Sequence, residues 1–499
     1  MTVLQPAPAA RAPRGGAERP RAAGPARPGR GSWLERRLGP AWPLKVLLLG
    51  FPLWWALGLA SFVFLLLAVP MAVQVVRRGP LKVPAGFGVW VLFLAWMLLG
   101  VLVLWADAPG TLGGGGPERL LTYGYRVLWY LAITVAMLYP MSLPSWVLPT
   151  LDVARWLGAL FLVCVLGGLA GIAFPHLEFT SLAELVVPGA RQEGWVHSLV
   201  HPSLTTYSDF LGYEQPRPKA PFVYPNAWGN NVGLLLPFFV VGWLTAPQRW
   251  RRWAVPVVLA AAAAPIAFSL NRGLWLGLGL VVVYTAVQLA RSGRLAALWA
   301  LTVAGLVAAA VLVASPLWST VTLRIDTPHS NDRRGTVAEV VTTTTLEGSP
   351  LLGYGSTRQV DGSFASIAGG KTPDCRQCAA PPLGTQGFMW RLVFTTGFVG
   401  TALFLGFLAV QLLRHVRRRT PAAVLGCLAL LTSGLFFFVY DSLESPLFVL
   451  MLAVGLMNRE RLEDEVRRRT GRTRPRVPRP PRRVPPPVRD GATALDAAR

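Results

Sequence analysis

Charge is scarce in this chain, and most of what exists is arginine. Asp, Glu, Lys and Arg make up 14% of its 499 residues, against about 25% in ordinary soluble domains, while 53% of residues are hydrophobic. With a mean hydropathy of +0.45, that balance excludes a soluble globule. Lysine is rarer still, at four of 48 basic residues, which reads as a compositional bias, so arginine abundance alone identifies nothing. No G-x-x-x-x-G-K-S/T run, soluble Rossmann-like domain or credible D-x-D motif occurs, so the usual machinery for soluble nucleotide or nucleotide-sugar donors is absent. No cofactor and no metal centre are expected. The four cysteines are Cys164 and Cys427 in apolar runs, and Cys375 and Cys378 in a polar segment. A lone C-x-x-C cannot supply four zinc ligands, and a local disulfide suits it better if the segment is extracytoplasmic. No cleavable signal peptide is apparent, because the first apolar run begins only near Val46.

What is present is a series of apolar stretches near the 20 residues needed to cross hydrocarbon as a helix. The expected fold is an all-α polytopic membrane protein of about twelve spans. These fall at about 44–58, 60–76, 86–106, 118–139, 151–175, 227–246, 253–269, 273–290, 297–317, 387–412, 421–439 and 445–457. The first two come from one apolar run of about 30 residues, too long for one straight crossing and short for two, read as a tight hairpin. With that count, Arg77, Arg78, Lys82, Arg249–Arg252, Arg291–Arg294, Arg414–Arg419 and both tails share one side, which the positive-inside rule makes cytoplasmic. Eleven spans would put basic clusters on both faces. The opposite side receives two long segments, 176–226 and 318–386.

Three regions follow: a disordered basic tail over 1–43, a membrane domain over 44–457, and a disordered Arg/Pro-rich tail over 458–499. Eight Arg against two Glu in residues 1–37, and thirteen Arg against six acids in 458–499, put +6 and +7 of the net +24 into the tails. Such tails can bind nucleic acid, but solvated cytoplasmic tails drawn to anionic membrane lipid are the simpler reading, and no nucleic-acid partner is expected.

The two outward segments hold the candidate chemistry. In the first, prolines argue for an irregular extended loop carrying Arg217 and Lys219, which can hold phosphate. Tyr224, Asn226 and Trp228 follow at the head of a span, where the aromatics either stack on a sugar or anchor the helix at the interface. Ser269-Leu-Asn-Arg272-Gly273 has almost no room for a loop, so Arg272 sits near the outer boundary, where a charge costs roughly 2.5–3.5 kcal/mol on insertion scales. Its place at a helix start also suits an anion. Arg119 and Arg126 share a helical face; Arg126 is about 10 Å in, and a structural ion pair and a functional role are equally open. The second segment, a polar loop of roughly 65 residues, carries His329, Asp332, Arg333, Arg334 and Gly353-Tyr-Gly355-Ser356 with Arg358 close behind. That Gly-x-Gly can form an anion-binding nest, and arginine suits bidentate contact with phosphate oxygens.

Several of these residues together resemble a known family. Asn226-Ala-Trp-Gly229 before a Leu-Leu-Leu-Pro-Phe span, Ser269-Leu-Asn-Arg272-Gly273, Arg334, Ser349-Pro-Leu-Leu-Gly353-Tyr-Gly355 and Gly397-Phe-Val-Gly400 are similar, in order and spacing, to the O-antigen ligase/O-antigen polymerase superfamily. The resemblance covers about residues 85–455. It implies a metal-independent membrane glycosyltransferase that moves a glycan from a polyprenyl-diphosphate carrier to an acceptor hydroxyl on the outer face. The acceptor is a glycan, lipid or protein. Arg272 and Arg334 match the family's arginines most closely and are assigned to the diphosphate, with Arg217, Arg126, Arg358, Gly353 and Gly355 in support. Where family members carry His-Asn eleven residues before the Gly-Phe-Val-Gly-like stretch, this chain has Gln386-Gly387. Glutamine can hydrogen-bond a hydroxyl but cannot take its proton. The catalytic candidates are therefore Gln386 in an orienting role, with His329 or Asp332 as substitute bases. A transporter or flippase for a lipid-linked or other anionic solute, and a non-catalytic envelope scaffold, are the competing readings.

Overall fold

The computed structural model describes residues 33–471 except 115, 188, 190, 192–194, 209–213, 316, 327–328 and 361–381, and the side chains of 195, 320 and 324–334 are also outside the description. Cys375 and Cys378 lie outside the described residues. The chain divides into residues 1–42 and 43–499. In the first unit the described element is helix α1 (Trp33–Leu38).

Among the described residues, the rest is all-α apart from one small hairpin. The amino-terminal helices are α2 (Trp42–Leu49), α3 (Phe51–Ala56), α4 (Val63–Arg77), α5 (Phe87–Leu99), α6 (Pro117–Met141) and α7 (Thr150–Ala173). Next come α8 (Leu182–Val186), α9 (Trp195–Val200), and strands β1 (Thr205–Ser208) and β2 (Gln215–Pro218), paired antiparallel. Then follow α10 (Pro225–Leu244), α11 (Arg249–Phe268), α12 (Arg272–Arg291), α13 (Leu295–Ala314), α14 (Leu317–Asp326), α15 (His329–Gly348), α16 (Phe388–His415), α17 (Pro421–Phe436) and α18 (Ser445–Thr470).

Among the described residues, seven helices are long and apolar enough to cross a membrane: α6, α7, α10, α11, α12, α13 and α16. The expected twelve is thus corrected, and each shortfall has a local cause. The first expected span is split into α2 and α3 at Gly50, with Pro52 in the first turn of α3. Helix α4 has 15 residues and α17 has 16, rising only about 22–24 Å against a hydrocarbon layer of about 30 Å. Helix α5 tightens into a 3-10 turn at Gly100–Val103. The stretch 445–457 is the first part of α18, which is buried from Ser445 to Arg459 and continues to Thr470, into residues read as disordered tail. A helix apolar all round belongs inside a bundle, and α18 packs along α6 and α17. By contrast, α13 has a mean hydropathy of 2.4 and no buried residues, as suits contact with lipid.

The polar loop expected over 318–386 is largely helical where described. Helix α15 turns Val337, Val341 and Thr345 inward against a cluster containing Tyr354, Leu383, Val393 and Phe394. The prolines of 176–226 likewise leave room for the hairpin, whose register pairs Thr206 with Arg217.

Helix α16 is broken, and the break organises this side of the molecule. Gly397 has φ +66° and ψ −175°, so the helical ladder is interrupted there. The freed backbone groups find partners in the segment after α15. Phe398 N–H donates to Pro350 O (2.8 Å), while Tyr354 N–H and Gly355 N–H donate to Phe394 O (2.8 Å) and Thr395 O (3.2 Å). Trp96 Nε1 closes the joint by donating to Leu351 O and Thr396 O. Groups left open in a membrane-embedded helix would each cost several kcal/mol, so the two segments complete each other. A side chain at Gly397 would collide with the Leu351 carbonyl and also need a left-handed backbone. Gly397→Ala is expected to destabilise the protein by at least about 1–2 kcal/mol. A thermal-unfolding midpoint in detergent that matched the parent's would contradict this joint.

The two ends of the bundle differ in charge. At one end Arg78 donates to Ser142 Oγ (3.2 Å), Arg459 to Thr150 Oγ1 (3.2 Å) and Arg418 to Asp464 (3.4 Å), while Glu463 accepts from Ser145 Oγ (2.5 Å). The carboxyl-terminal half of α18 therefore caps this basic end. The other end carries the start of α10, α12, α16 and α18.

Candidate functional site

The connection from α17 to α18, residues 437–444, is the hub of that second end. Phe388 N–H donates to Tyr440 O and Met389 N–H to Phe437 O, both at 2.8 Å, so α16 starts on this connection. Helix α12 starts against it too, because a side chain at Gly273 would meet Val439 and Tyr440. Helix α10 is fastened by Asn230 Nδ2 donating to Ser442 Oγ (2.8 Å) and Asn231 Nδ2 to Ser445 Oγ (3.0 Å). Four helix starts thus meet here, each carrying the positive end of its dipole.

Charged side chains gather at the same place. Arg391, in the first turn of α16, forms an ion pair with Asp441. Glu444, the residue before α18, accepts a hydrogen bond from Tyr125 Oη of α6 (3.0 Å). Arg126, one residue on, donates to Gly355 O (2.6 Å) and is buried. Arg126 and Arg391 lie within electrostatic reach of one another and of Asp441, as do Tyr224 and Glu444. Burial pushes the Glu444 carboxyl up to about 7, against the hydrogen bond from Tyr125. A carboxyl near 7 within reach of the Arg391–Asp441 pair is a candidate proton acceptor for neutral pH.

Backbone strain marks the rim. Among the described residues, the two non-glycine residues with positive φ are Leu270 at +55° and Gln386 at +64°. Each costs on the order of 1–3 kcal/mol, and such positions concentrate at functional sites. Leu270 precedes Asn271 and Arg272; Gln386 precedes the start of α16 and is exposed.

Not every residue singled out from the sequence is available to a ligand. Arg272 begins α12 at the hub and is partly buried. Arg217 is buried, donating to Ser269 O and Asn271 Oδ1, both at 2.8 Å, while Asn271 Nδ2 donates to Pro225 O (2.8 Å). It pins the turn that presents Arg272. Arg358 is also buried, and one of its nitrogens donates to the carbonyls of Leu104, Ala106 and Tyr354 at 2.8–3.0 Å. Burial lowers its guanidinium to about 10, still charged at neutral pH. The nest proposed at Gly353–Ser356 has its N–H groups committed to Ser349, Phe394, Thr395 and Tyr354 carbonyls, so it joins α16 rather than cradling an anion. Trp228 is fully buried with Nε1 on Cys164 O (3.0 Å), which removes it from both sugar stacking and interfacial anchoring. Tyr224 remains exposed before α10, and Asn226 is partly buried in the first turn. His329, Asp332 and Arg334 belong to the first turns of α15, and their side chains lie outside the described residues. Arg119 pairs with Asp107 (3.0 Å).

Sequence reasoning passed over Arg391, Asp441, Glu444 and Tyr125. Asp441 and Glu444 were visible as two acids in a short connection between apolar runs, where charge is expensive. No protein-family model matches the chain, and no curated protein matches it.

Arg358→Met is expected to remove three or more carbonyl contacts and lower stability by several kcal/mol, since bonds to a charged donor contribute about 1.5–3 kcal/mol each. A variant with parental unfolding temperature would contradict the clasp.

Proposed function

We propose that this chain transfers a glycan from a polyprenyl-diphosphate carrier to an acceptor hydroxyl at the outer face of the cytoplasmic membrane, as an O-antigen ligase- or polymerase-like enzyme. The observation that carries the proposal is the gathering of Arg126, Arg391, Asp441 and Glu444 around the 437–444 connection, against which α12 begins with Arg272. Breaking an anomeric bond to diphosphate leaves negative charge on the leaving group. Fixed guanidinium groups and helix starts supply its counter-charge without reorganising at the moment of reaction. Arg272 leads this assignment, Arg391 joins it, Arg126 holds the back wall, and Arg334 is assigned with them from the sequence resemblance alone.

Glu444 supplies the acceptor side that Gln386 cannot. Its carboxylate takes the acceptor hydroxyl's proton as the oxygen attacks the anomeric carbon, while Gln386 and Tyr224 orient the sugar hydroxyls. Because the carboxyl titrates near 7, it is protonated and inactive as a base below that pH. Transfer should therefore rise with pH through about 7. Glu444→Gln should slow transfer about 10²–10⁴-fold and abolish that acid limb. A retained limb, or a rate close to the parent's, would remove Glu444 from the reaction. Arg272→Ala and Arg334→Ala should each cost about 10²–10³-fold, the scale of losing one charge-stabilising donor. Unchanged transfer in both would sink the diphosphate assignment.

The basic end of the bundle is assigned to the cytoplasm with both termini, and the hub to the outer face. A single cysteine at Gln386 should react with an impermeant thiol reagent in intact cells, and one at Thr470 only after permeabilisation. The reverse pattern would overturn the orientation.

The break in α16 gives a transporter reading its one specific support, since discontinuous helices commonly frame transport sites. Here, however, the freed groups of the break are largely bonded to the 350–355 segment, which leaves few backbone carbonyls or N–H groups for a solute.

A further inference from the structure

We propose a zinc-binding site formed by Glu184, His197 and His201 in the segment between α7 and α10. This inference does not rest on the transfer reading. The three side chains offer ligand atoms that all lie within 4.8 Å of one another.

The local fold brings them together in two steps. Ser181 caps α8 through a reciprocal pair, Glu184 N–H to Ser181 Oγ (3.1 Å) and Ser181 N–H to Glu184 Oε2 (3.4 Å), which fixes the carboxylate. Ser181 Oγ also donates to Val200 O (2.6 Å), drawing the end of α9 onto the start of α8. His201 N–H donates to His197 O (2.9 Å), so the helical turn continues past α9 and both imidazoles project from one side. Their rings stack with centroids 4.5 Å apart.

The nitrogens then converge on one carboxylate. His201 Nδ1 is 2.8 Å from Glu184 Oε2, and His197 Nδ1 is 3.7 Å from Glu184 Oε1. A tetrahedral zinc with bonds of about 2.0–2.2 Å holds its ligands about 3.3–3.6 Å apart, so small rotations close the set. On the far side of the His201 ring, Nε2 is 3.7 Å from Glu178 Oε2. That leaves Nε2–H to face a carboxylate while Nδ1 binds metal, the outer support that metal-bound histidines usually have. One carboxylate could neutralise one imidazolium with a single histidine; two stacked imidazoles aimed at it make a two-nitrogen, one-oxygen donor set. Imidazole donors select zinc-type ions over magnesium or calcium. The histidines remain partly exposed, which leaves a fourth position for water.

The ion would tie α8 to α9. Ser198, between the two histidines, lies 3.4 Å from Tyr224 Oη, so the same clip would steady the residue before α10. Its role is positional, since no reacting group touches it.

Full-length protein in detergent, stripped by chelator and dialysed against zinc in excess magnesium, is expected to retain one zinc per chain by elemental analysis. Cobalt in its place should give the intense visible absorption of a tetrahedral site. The H197A/H201A double variant should retain none, Glu184→Gln should weaken binding at least 10-fold, and His176→Ala should still hold one. Parent protein that retains no stoichiometric zinc overturns the proposal whether or not the variants fold. So does a monodisperse double variant that binds zinc like the parent.

Discussion

A helix inside a membrane cannot be interrupted without finding partners for the backbone groups it exposes, and α16 is interrupted at Gly397. The segment 349–356 supplies those partners and in doing so gives up its own freedom. Its glycines are needed because the carbonyls of Gly100 and Phe394 press where side chains would otherwise stand. Arg358 locks the end of the segment onto the 3-10 turn after α5, and Arg126 reaches the Gly355 carbonyl from α6. One broken helix thereby joins α5, α6 and the segment leading from α15. The motif Ser349–Gly355 and the motif Gly397–Gly400 are the two halves of one joint.

The same joint orients the charged hub. Below the break, the first turns of α16 carry Arg391 to Asp441, and the backbone bonds from Phe388 and Met389 hold that start on the 437–440 turn. Tyr125 and Arg126, consecutive on α6, divide the work: one hydroxyl fixes Glu444 while the adjacent guanidinium fixes the joint. Arg217 plays a similar part from β2, holding the turn in front of Arg272. Buried arginines that look like ligands thus fasten the segments around the hub.

The sequence read well where long-range geometry mattered little. Apolar length locates α6, α7, α10, α11, α12, α13 and α16, and the short spacing at Ser269–Arg272 leaves no room for a loop between α11 and α12. It read poorly where tertiary partners decide the outcome. A run such as Val337–Thr345 looks polar, yet it becomes a helix because Val337 and Val341 find a cluster formed by distant Leu383 and Phe394. The Gly-x-Gly turn matches a nest locally, but whether its N–H groups stay free depends on α16, forty residues on. An apolar run is not always a full crossing: Gly50 and the turn at Gly100 shorten two of them. Glu444 carries no local signal of its role in the sequence, because its environment comes from Tyr125 on another helix.

The central claim is that the hub stabilises a diphosphate leaving group during transfer to an acceptor. It is tested most directly by reconstituting the purified protein in sealed liposomes with polyprenyl-diphosphate oligosaccharide labelled in both lipid and glycan. The account predicts release of free polyprenyl diphosphate, with the glycan label appearing on an acceptor. Labelled lipid that crosses the bilayer intact, or stays unchanged when a competent acceptor is present, would contradict it.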